Sequence, residues 1–204
     1  MRVSYWSRQK PVRRARAVDP AAIATAAIKL LDQGGFRALT VRAVAGRIAV
    51  APASLYSRVN SVDDLFDLAL DAVLGHDPHM QKALAQADIH VLLIEYYRHL
   101  LRHPWACQVI GMRAPRGPNY LQLSERMSQL LIEMEVSDPL ATAYALSNFV
   151  IGSATTAPAA NDEPEAPIDN SLAPTYAQLH AEQDKAPEQI VEAGLSALVA
   201  LWSR

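Results

Sequence analysis

Thr40, Arg42, Ser54, Tyr56, Ser57, Arg58 and Asn60 crowd hydrogen-bond donors into one stretch, TVRAVAGRIAVAPASLYSRVN. Hydroxyl, phenol and guanidinium groups donate to phosphate oxygens, and arginine can also bind guanine through two parallel hydrogen bonds. That chemistry needs a rigid element to present the donors together, and the intervening apolar residues supply one. Val41, Val44, Ala45 and Ile48 recur at i, i+3, i+4 and i+7, which predicts a helix capped by the Thr40 hydroxyl. Ile48-Ala49-Val50 reads as a turn. Pro52 then suits the first position of a second helix, where a missing N–H does no harm. Leu55 and Val59 pack inward in this reading, leaving Ala53, Ser54, Tyr56, Ser57 and Arg58 for other faces. Two helices so joined describe a helix-turn-helix, whose second helix enters the DNA major groove.

The charge distribution points the same way. Residues 1–60 hold nine Arg and two Lys against two Asp, a net charge of +9, while residues 61–204 hold eight basic and nineteen acidic residues, a net of −11. The near-neutral total of −2 conceals a basic head on an acidic body, of which phosphate attracts only the first. Arg13, Arg14 and Arg16 lie in a segment, residues 1–18, without apolar periodicity; a basic arm that DNA orders is expected there.

The remaining reactive side chains do not assemble into catalytic patterns. His99 and His103 are spaced i, i+4, and His76 and His79 form another pair, but no acidic or cysteine ligand completes either at a recognised metal spacing. No metal and no cofactor is expected. There is no Gly-rich phosphate loop, His-Glu-x-x-His, Gly-x-Ser-x-Gly or Cys-x-x-Cys motif, so an enzyme is not expected either. Tyr96, Trp105, Met112, Met127 and Tyr144 offer aromatic and sulfur surface for a pocket, with His99, His103 and Arg113 as polar members. Asn148, set in an apolar helix, needs a partner if buried: a ligand, or its own two-fold mate.

Half of the 204 residues are apolar, alanine is abundant and β-branched alternation is scarce, which favours an all-α protein. Cys107 is the only cysteine, so no intrachain disulfide forms, in keeping with a cytoplasmic setting. No apolar run reaches the roughly 18 residues of a membrane span, and no signal peptide is read. Asp19-Pro20 opens the first helix and Gly34-Gly35 stops it; Phe36 and Leu39 plug the core beneath the helix-turn-helix. Ser61, with Asp64 as capping-box partner, opens a fourth helix that runs to Leu74 and ends at Gly75. The chain thus divides into the arm, a DNA-binding head over 19–75 including this linking helix, and a ligand-binding and dimerisation body over 76–204. In the body, helices are expected near 80–87, 89–103, 105–113, 119–135, 138–156, 174–183 and 187–203, with a Pro-rich mobile loop over 157–174. The helices near 138–156 and 187–203 are apolar on more than one face, which predicts that two copies pair them as a four-helix bundle. Ala143, Ser147 and Gly194 would allow the close approach.

Over residues 19–75 the sequence resembles the tetracycline-repressor (TetR) family. The alanine-rich helix ending in Gly34-Gly35-Phe36, then Ala38-Leu39-Thr40-Val41-Arg42, Pro52-Ala53-Ser54-Leu55-Tyr56, Asn60 and the start of the Ser61–Leu65 helix carry the likeness. His103-Pro104-Trp105, Gly111 through Asn119 and Ala143-Tyr144-Ala145-Leu146 extend it more weakly into the body. The resemblance implies a helical homodimer that represses transcription from a palindromic operator and is released by a small-molecule inducer; an activator or architectural factor without an inducer is the alternative. It also implies DNA contacts from Thr40, Val41, Arg42, Ala51, Pro52, Ala53, Ser54, Tyr56, Ser57, Arg58 and Asn60. Ala49 stands where the family often has Gly, Ala51 where it has Ser or Thr, and Val62 where it has Lys. Val109 and Ile110 occupy the region of the family's magnesium-binding histidine, so magnesium–tetracycline is not the expected ligand.

Overall fold

The computed structural model describes residues 4–7, 18–162, 167–182 and 186–202, with the backbone alone over 160–162. Arg13, Arg14 and Arg16 lie outside the described residues. The regular structure that is described is entirely helical: α1 (Pro20–Ala38), α2 (Val41–Arg47), α3 (Pro52–Leu55), α4 (Val62–His76), α5 (Pro78–Gln86), α6 (Ile89–Arg102), α7 (Pro104–Met112), α8 (Pro118–Glu133), α9 (Pro139–Asp162), α10 (Pro174–Ala181) and α11 (Pro187–Trp202). A short 3-10 turn, Tyr5–Ser7, precedes them.

The Asp19 carboxylate caps α1 by accepting from the Ala21 amide at 3.0 Å, and Thr40 caps α2 by accepting from Ala43 at 3.0 Å. The first helical segment of α1 ends at the expected stop, where the backbone breaks at Gly35 (φ 59°, ψ −156°) in a conformation essentially confined to glycine, and a short second segment follows to Ala38. The helix-turn-helix closes on the fully buried Val44, Ala45, Leu55 and Val59, over Ile23 and Ala27 of α1. The ring of Phe36 lies 4.6 Å from that of Phe66 on α4.

α4 departs from the expected cap and end. Ser61 accepts from Asp63, while Asp64 reaches back to the Asn60 amide at 2.7 Å, so the reciprocal pair is offset by one residue. Gly75 lies inside α4; a Cβ there would come within 2.8 Å of the Asn119 side chain, so its role is close approach to α8, not termination. α4 is buried almost all round, against α1 on one side and the body on the other.

α9 continues through Pro158 to Asp162, into the segment read as a loop. Proline removes one ladder bond there. Buried Ala154 and Ala157 hold the helix against the core up to that gap, and helical backbone continues beyond it to Asp162. Inside the subunit Leu195 and Val191 of α11 are buried, and Gly194 admits the Phe149 ring, against which a Cβ would come to 2.4 Å. The expected intersubunit use of Gly194 is therefore corrected: it serves α9–α11 packing within one chain. Ser147 likewise faces α8, its hydroxyl 3.9 Å from the Met127 sulfur.

Candidate nucleic-acid interface

The turn before the reading helix is built from backbone bonds. Val50 donates to Ala45 and Ala49 donates to Gly46, the two bonds of a Schellman helix end. That motif places its pivot residue in the left-handed region, and Ala49 sits there with φ 54°. Ala51 follows as the N-cap of α3 with no side-chain cap. α3 is shorter than the sequence suggested: one helical turn, after which Ser57, Arg58 and Val59 donate to Ser54 and Leu55 in tight turns.

This geometry turns the expected DNA-facing residues outward. Thr40, Arg42, Ala51, Pro52, Ala53, Ser54, Tyr56, Ser57 and Asn60 are all exposed, and Val41 is half-buried. Tyr56, 58% exposed, holds its phenol away from the core. Thr40 uses its oxygen to accept from Ala43, so its proton remains for an external acceptor. Two donors are partly committed. The Ser57 hydroxyl donates to the Ser54 carbonyl at 2.7 Å, and Arg58 Nε donates to the Val18 carbonyl at 2.9 Å. Arg58 thus braces the entry to α1, which leaves its two terminal nitrogens for phosphate or a base edge.

Three aspartates join head to body and a fourth, Asp77, ties α5 to α6 within the body; none was legible as a pair in the sequence. Asp32 of α1 accepts from Trp105 Nε1 at 2.7 Å and pairs with His103 Nδ1 at 2.8 Å. Asp67 of α4 takes Arg113 Nε at 2.7 Å and Nη2 at 3.1 Å, while Arg113 Nη1 pairs with Asp63 at 2.9 Å. Asp71 accepts from the Asn119 and Tyr120 amides and from Asn119 Nδ2, at 2.8 to 3.1 Å. Burial pushes its carboxyl up, against these bonds. Asp77 caps α5 and also receives His99 Nδ1 at 2.8 Å and Arg102. Burial raises the Asp77 carboxyl, but the bonds from Arg102, His99 and the Met80 amide outweigh it and hold it at about 2.

The expected ligand set divides accordingly. Tyr96, His99, Trp105 and Met127 are buried in the body, whereas Met112, Tyr144 and Asn148 are exposed. His103 and Arg113 are engaged by head carboxylates. Exposure removes the need for a buried partner at Asn148. The rings of Tyr96 and His99 lie 6.5 Å apart and those of Tyr96 and Tyr120 6.4 Å apart, the two phenols interact with each other, and His99 Nε2 is buried without a hydrogen-bond partner among the described residues. Burial lowers His99 to about 4 despite the pull of Asp77, so it is neutral, with Nδ1–H donated to Asp77 and the Nε2 lone pair facing the interior. Burial pushes the Tyr96 and Tyr120 phenols well up. Tyr120 was missed in the sequence because an isolated tyrosine at a helix start carries no spacing signal. A groove of about 820 Å³ between α5 and α8, lined by Gln81, Leu84, Leu121, Glu125 and Arg126 among others, includes none of the expected ligand residues. Among the described residues no helix is long and apolar enough to cross a membrane.

Residues 23–69 match the family model of bacterial regulatory proteins, tetR family, and residues 80–194 match that of the tetracyclin repressor-like C-terminal domain. The chain is 38% identical over 155 residues to an HTH-type transcriptional regulator of Saccharopolyspora erythraea, a match covering 74% of this chain and 66% of that protein. It is 27% identical over 137 residues to the HTH-type transcriptional repressor DrrR1 of Streptomyces coeruleorubidus, covering 65% of this chain and 51% of the relative. The chain therefore spans a little under two thirds of the first relative's length and about half of the second's. In fold it is similar to ActR of Streptomyces coelicolor in complex with actinorhodin, with a TM-score of 0.73 at 22% identity over 92% of this chain and 95% of ActR.

Proposed function

We propose that this chain, which belongs to the tetR family of bacterial regulatory proteins, binds a two-fold operator as a homodimer and releases it when a small molecule occupies the body. Membership makes it a regulator and not an enzyme. The observation that carries the DNA reading is the outward row of Thr40, Arg42, Ser54 and Tyr56 on a helix-turn-helix whose Val44, Ala45, Leu55 and Val59 are fully buried in the head's own core. Phosphate contacts from Thr40 and Tyr56 would fix the register, and Ala53, Ser54 and Ser57 would meet base edges. Residues 1–18, with Arg13, Arg14 and Arg16, add charge to the same end of the chain.

Dimerisation is supported by two unpaired apolar faces. On α9, Leu140, Tyr144, Asn148 and Gly152 are exposed on one side; on α11, Ile190, Ala193, Ala197 and Leu201 are. Isologous pairing of these faces would bury them and set the two heads at one fixed spacing. The effector reading draws on ActR, crystallised with actinorhodin, and on the buried polar cluster of Tyr96, His99 and Tyr120 in this body. DrrR1 is named a repressor, which favours repression over activation here.

Fluorescence anisotropy with a random-sequence 30-base-pair duplex tests the DNA reading. Log affinity should fall linearly with log salt, with a slope of several units, because each neutralised phosphate releases about 0.9 counterion. Absence of binding at low salt, or binding indifferent to salt, contradicts it.

A further inference from the structure

The beginning of the chain is joined to the body through one carboxylate. In the Tyr5–Ser7 turn the Tyr5 amide donates to Asp67 Oδ2 at 2.8 Å, and the Ser4 hydroxyl donates to the same oxygen at 3.2 Å. From the opposite side Arg113, the cap residue of α7, holds both Asp67 oxygens. Asp67 is 7% exposed, so nearly all of its stabilisation comes from these donors. The turn is seated by more than hydrogen bonds. Tyr5 is buried, Trp6 packs partly against the core, and the two rings meet edge to face at 5.2 Å. Arg58 at the end of the reading helix and Asp64 of α4 both act electrostatically on the Tyr5 phenol. The seat therefore touches α4 and, through Asp67, the end of α7.

An amide and a hydroxyl offer this buried carboxylate neutral donors, whereas the guanidinium adds an opposite charge and a two-pronged hydrogen bond. We propose that Arg113 and Asp67 are positioning residues for the chain's N-terminal turn: Arg113 holds the Asp67 carboxylate in place, so the turn stays docked on α4 only while the C-terminal end of α7 keeps its position. Asp32 fixes the start of α7 to α1 through Trp105 and His103, so α7 spans the head with one anchor at each end. A shift of α7 that withdraws Arg113 strands the Asp67 charge, and the carboxylate turns to solvent and drops the turn. The body then acts on the head by a second route, through the start of the chain, beside the route through α4. The effect on DNA rests on the DNA-binding reading above; the latch itself does not.

The full-length protein labelled with 5-fluorotryptophan gives three fluorine resonances, from Trp6, Trp105 and Trp202, and Trp6→Phe identifies the first. Arg113→Gln should move the Trp6 resonance toward that of free indole and increase its solvent isotope shift, with Trp105 and Trp202 unmoved. In an Asp67→Asn background the same substitution should leave Trp6 where Asp67→Asn alone puts it, since no buried charge remains to be stranded. If Arg113→Gln does not fold, Arg113→Lys, which keeps the charge but loses the fork, is read in the same two backgrounds and should give a smaller displacement of the same sense. An unmoved Trp6, or a displacement that is equal in the Asp67 and Asp67→Asn backgrounds, overturns the latch. Anisotropy with the random 30-base-pair duplex separates the two claims. Weaker binding by several-fold together with a displaced Trp6 supports the coupling, and unchanged affinity with a displaced Trp6 overturns it. A wild-type protein that binds no duplex refutes the DNA-binding reading, while the fluorine result still decides the latch.

Discussion

Ala49→Gly should stabilise this protein. Ala49 sits at φ 54° at the pivot of the helix-turn-helix, held by the Val50-to-Ala45 and Ala49-to-Gly46 bonds on either side. An L-residue with a Cβ costs about 1–2 kcal/mol in the left-handed region, because the Cβ crowds the following carbonyl. Glycine relieves that but gains roughly 0.4–1 kcal/mol of conformational freedom in the unfolded chain. The net expectation, from the difference of those two effects, is a gain of about 0.5–1 kcal/mol. Ala49 is exposed, so deleting its methyl opens no cavity in the head. In guanidinium unfolding at fixed protein concentration the midpoint should rise with an unchanged slope, and Tm should rise by about 1–4 °C for a chain of this size. Glu135 has φ 57° in the same motif at the end of α8, where Val136 donates to Leu131 and Glu135 to Ile132, so Glu135→Gly should act alike. With no shared partners, the two gains should add. A neutral or destabilising Ala49→Gly would refute the strain argument.

Ala51→Ser should add about 1 kcal/mol by supplying the cap that α3 lacks, read in the same unfolding assay. His99 remains neutral in the native state down to about pH 4, whereas its ordinary value is 6.5, so the unfolded chain takes up the proton first. Its contribution is complete above about pH 6.5 and is lost as pH falls toward 4, a loss on the order of 2–3 kcal/mol. The Asp77 carboxyl, at about 2 against 3.8, adds a second loss between those values. His99→Gln should flatten the stability curve between pH 6.5 and 4, measured by unfolding at each pH, whatever it does to stability at neutral pH. Leu140→Asp combined with Leu201→Asp, both on exposed faces, should leave the subunit folded by circular dichroism but sediment as single chains; a persistent dimer means other faces pair.

Local chemistry made the head legible. Thr40, Pro52 and the Val44–Ala45 stripe specify caps and periodicity within a few residues, and prolines at 20, 52, 78, 104, 118, 139, 174 and 187 open eight of the helices. What spacing cannot encode is a partner far along the chain. Asp32 lies 73 residues from Trp105, and Asp67 lies 62 from Tyr5 and 46 from Arg113. Each reads in sequence as one more solvated acid. For the same reason the start of the chain passed for an arm: one tyrosine and one tryptophan make no periodic pattern, yet they seat Tyr5–Ser7 against α4. His99 and His103 invited comparison with each other at i, i+4, whereas each is bound to a different aspartate. Pro158 misled in the opposite direction, since tertiary burial of Ala154 and Ala157 overrides one lost backbone bond.

Selection of bound duplexes from a randomised library, using the full-length protein, tests the central claim most directly. A two-fold dimer of helix-turn-helix heads should enrich inverted half-sites whose centres are separated by about 10–10.5 base pairs or a multiple of that. Changing Ser57 or Ala53 should alter the enriched bases, while Tyr56→Phe should weaken all sequences alike. Enrichment of a single unpaired half-site, of no sequence at all, or of the same site by every α3 variant would contradict it.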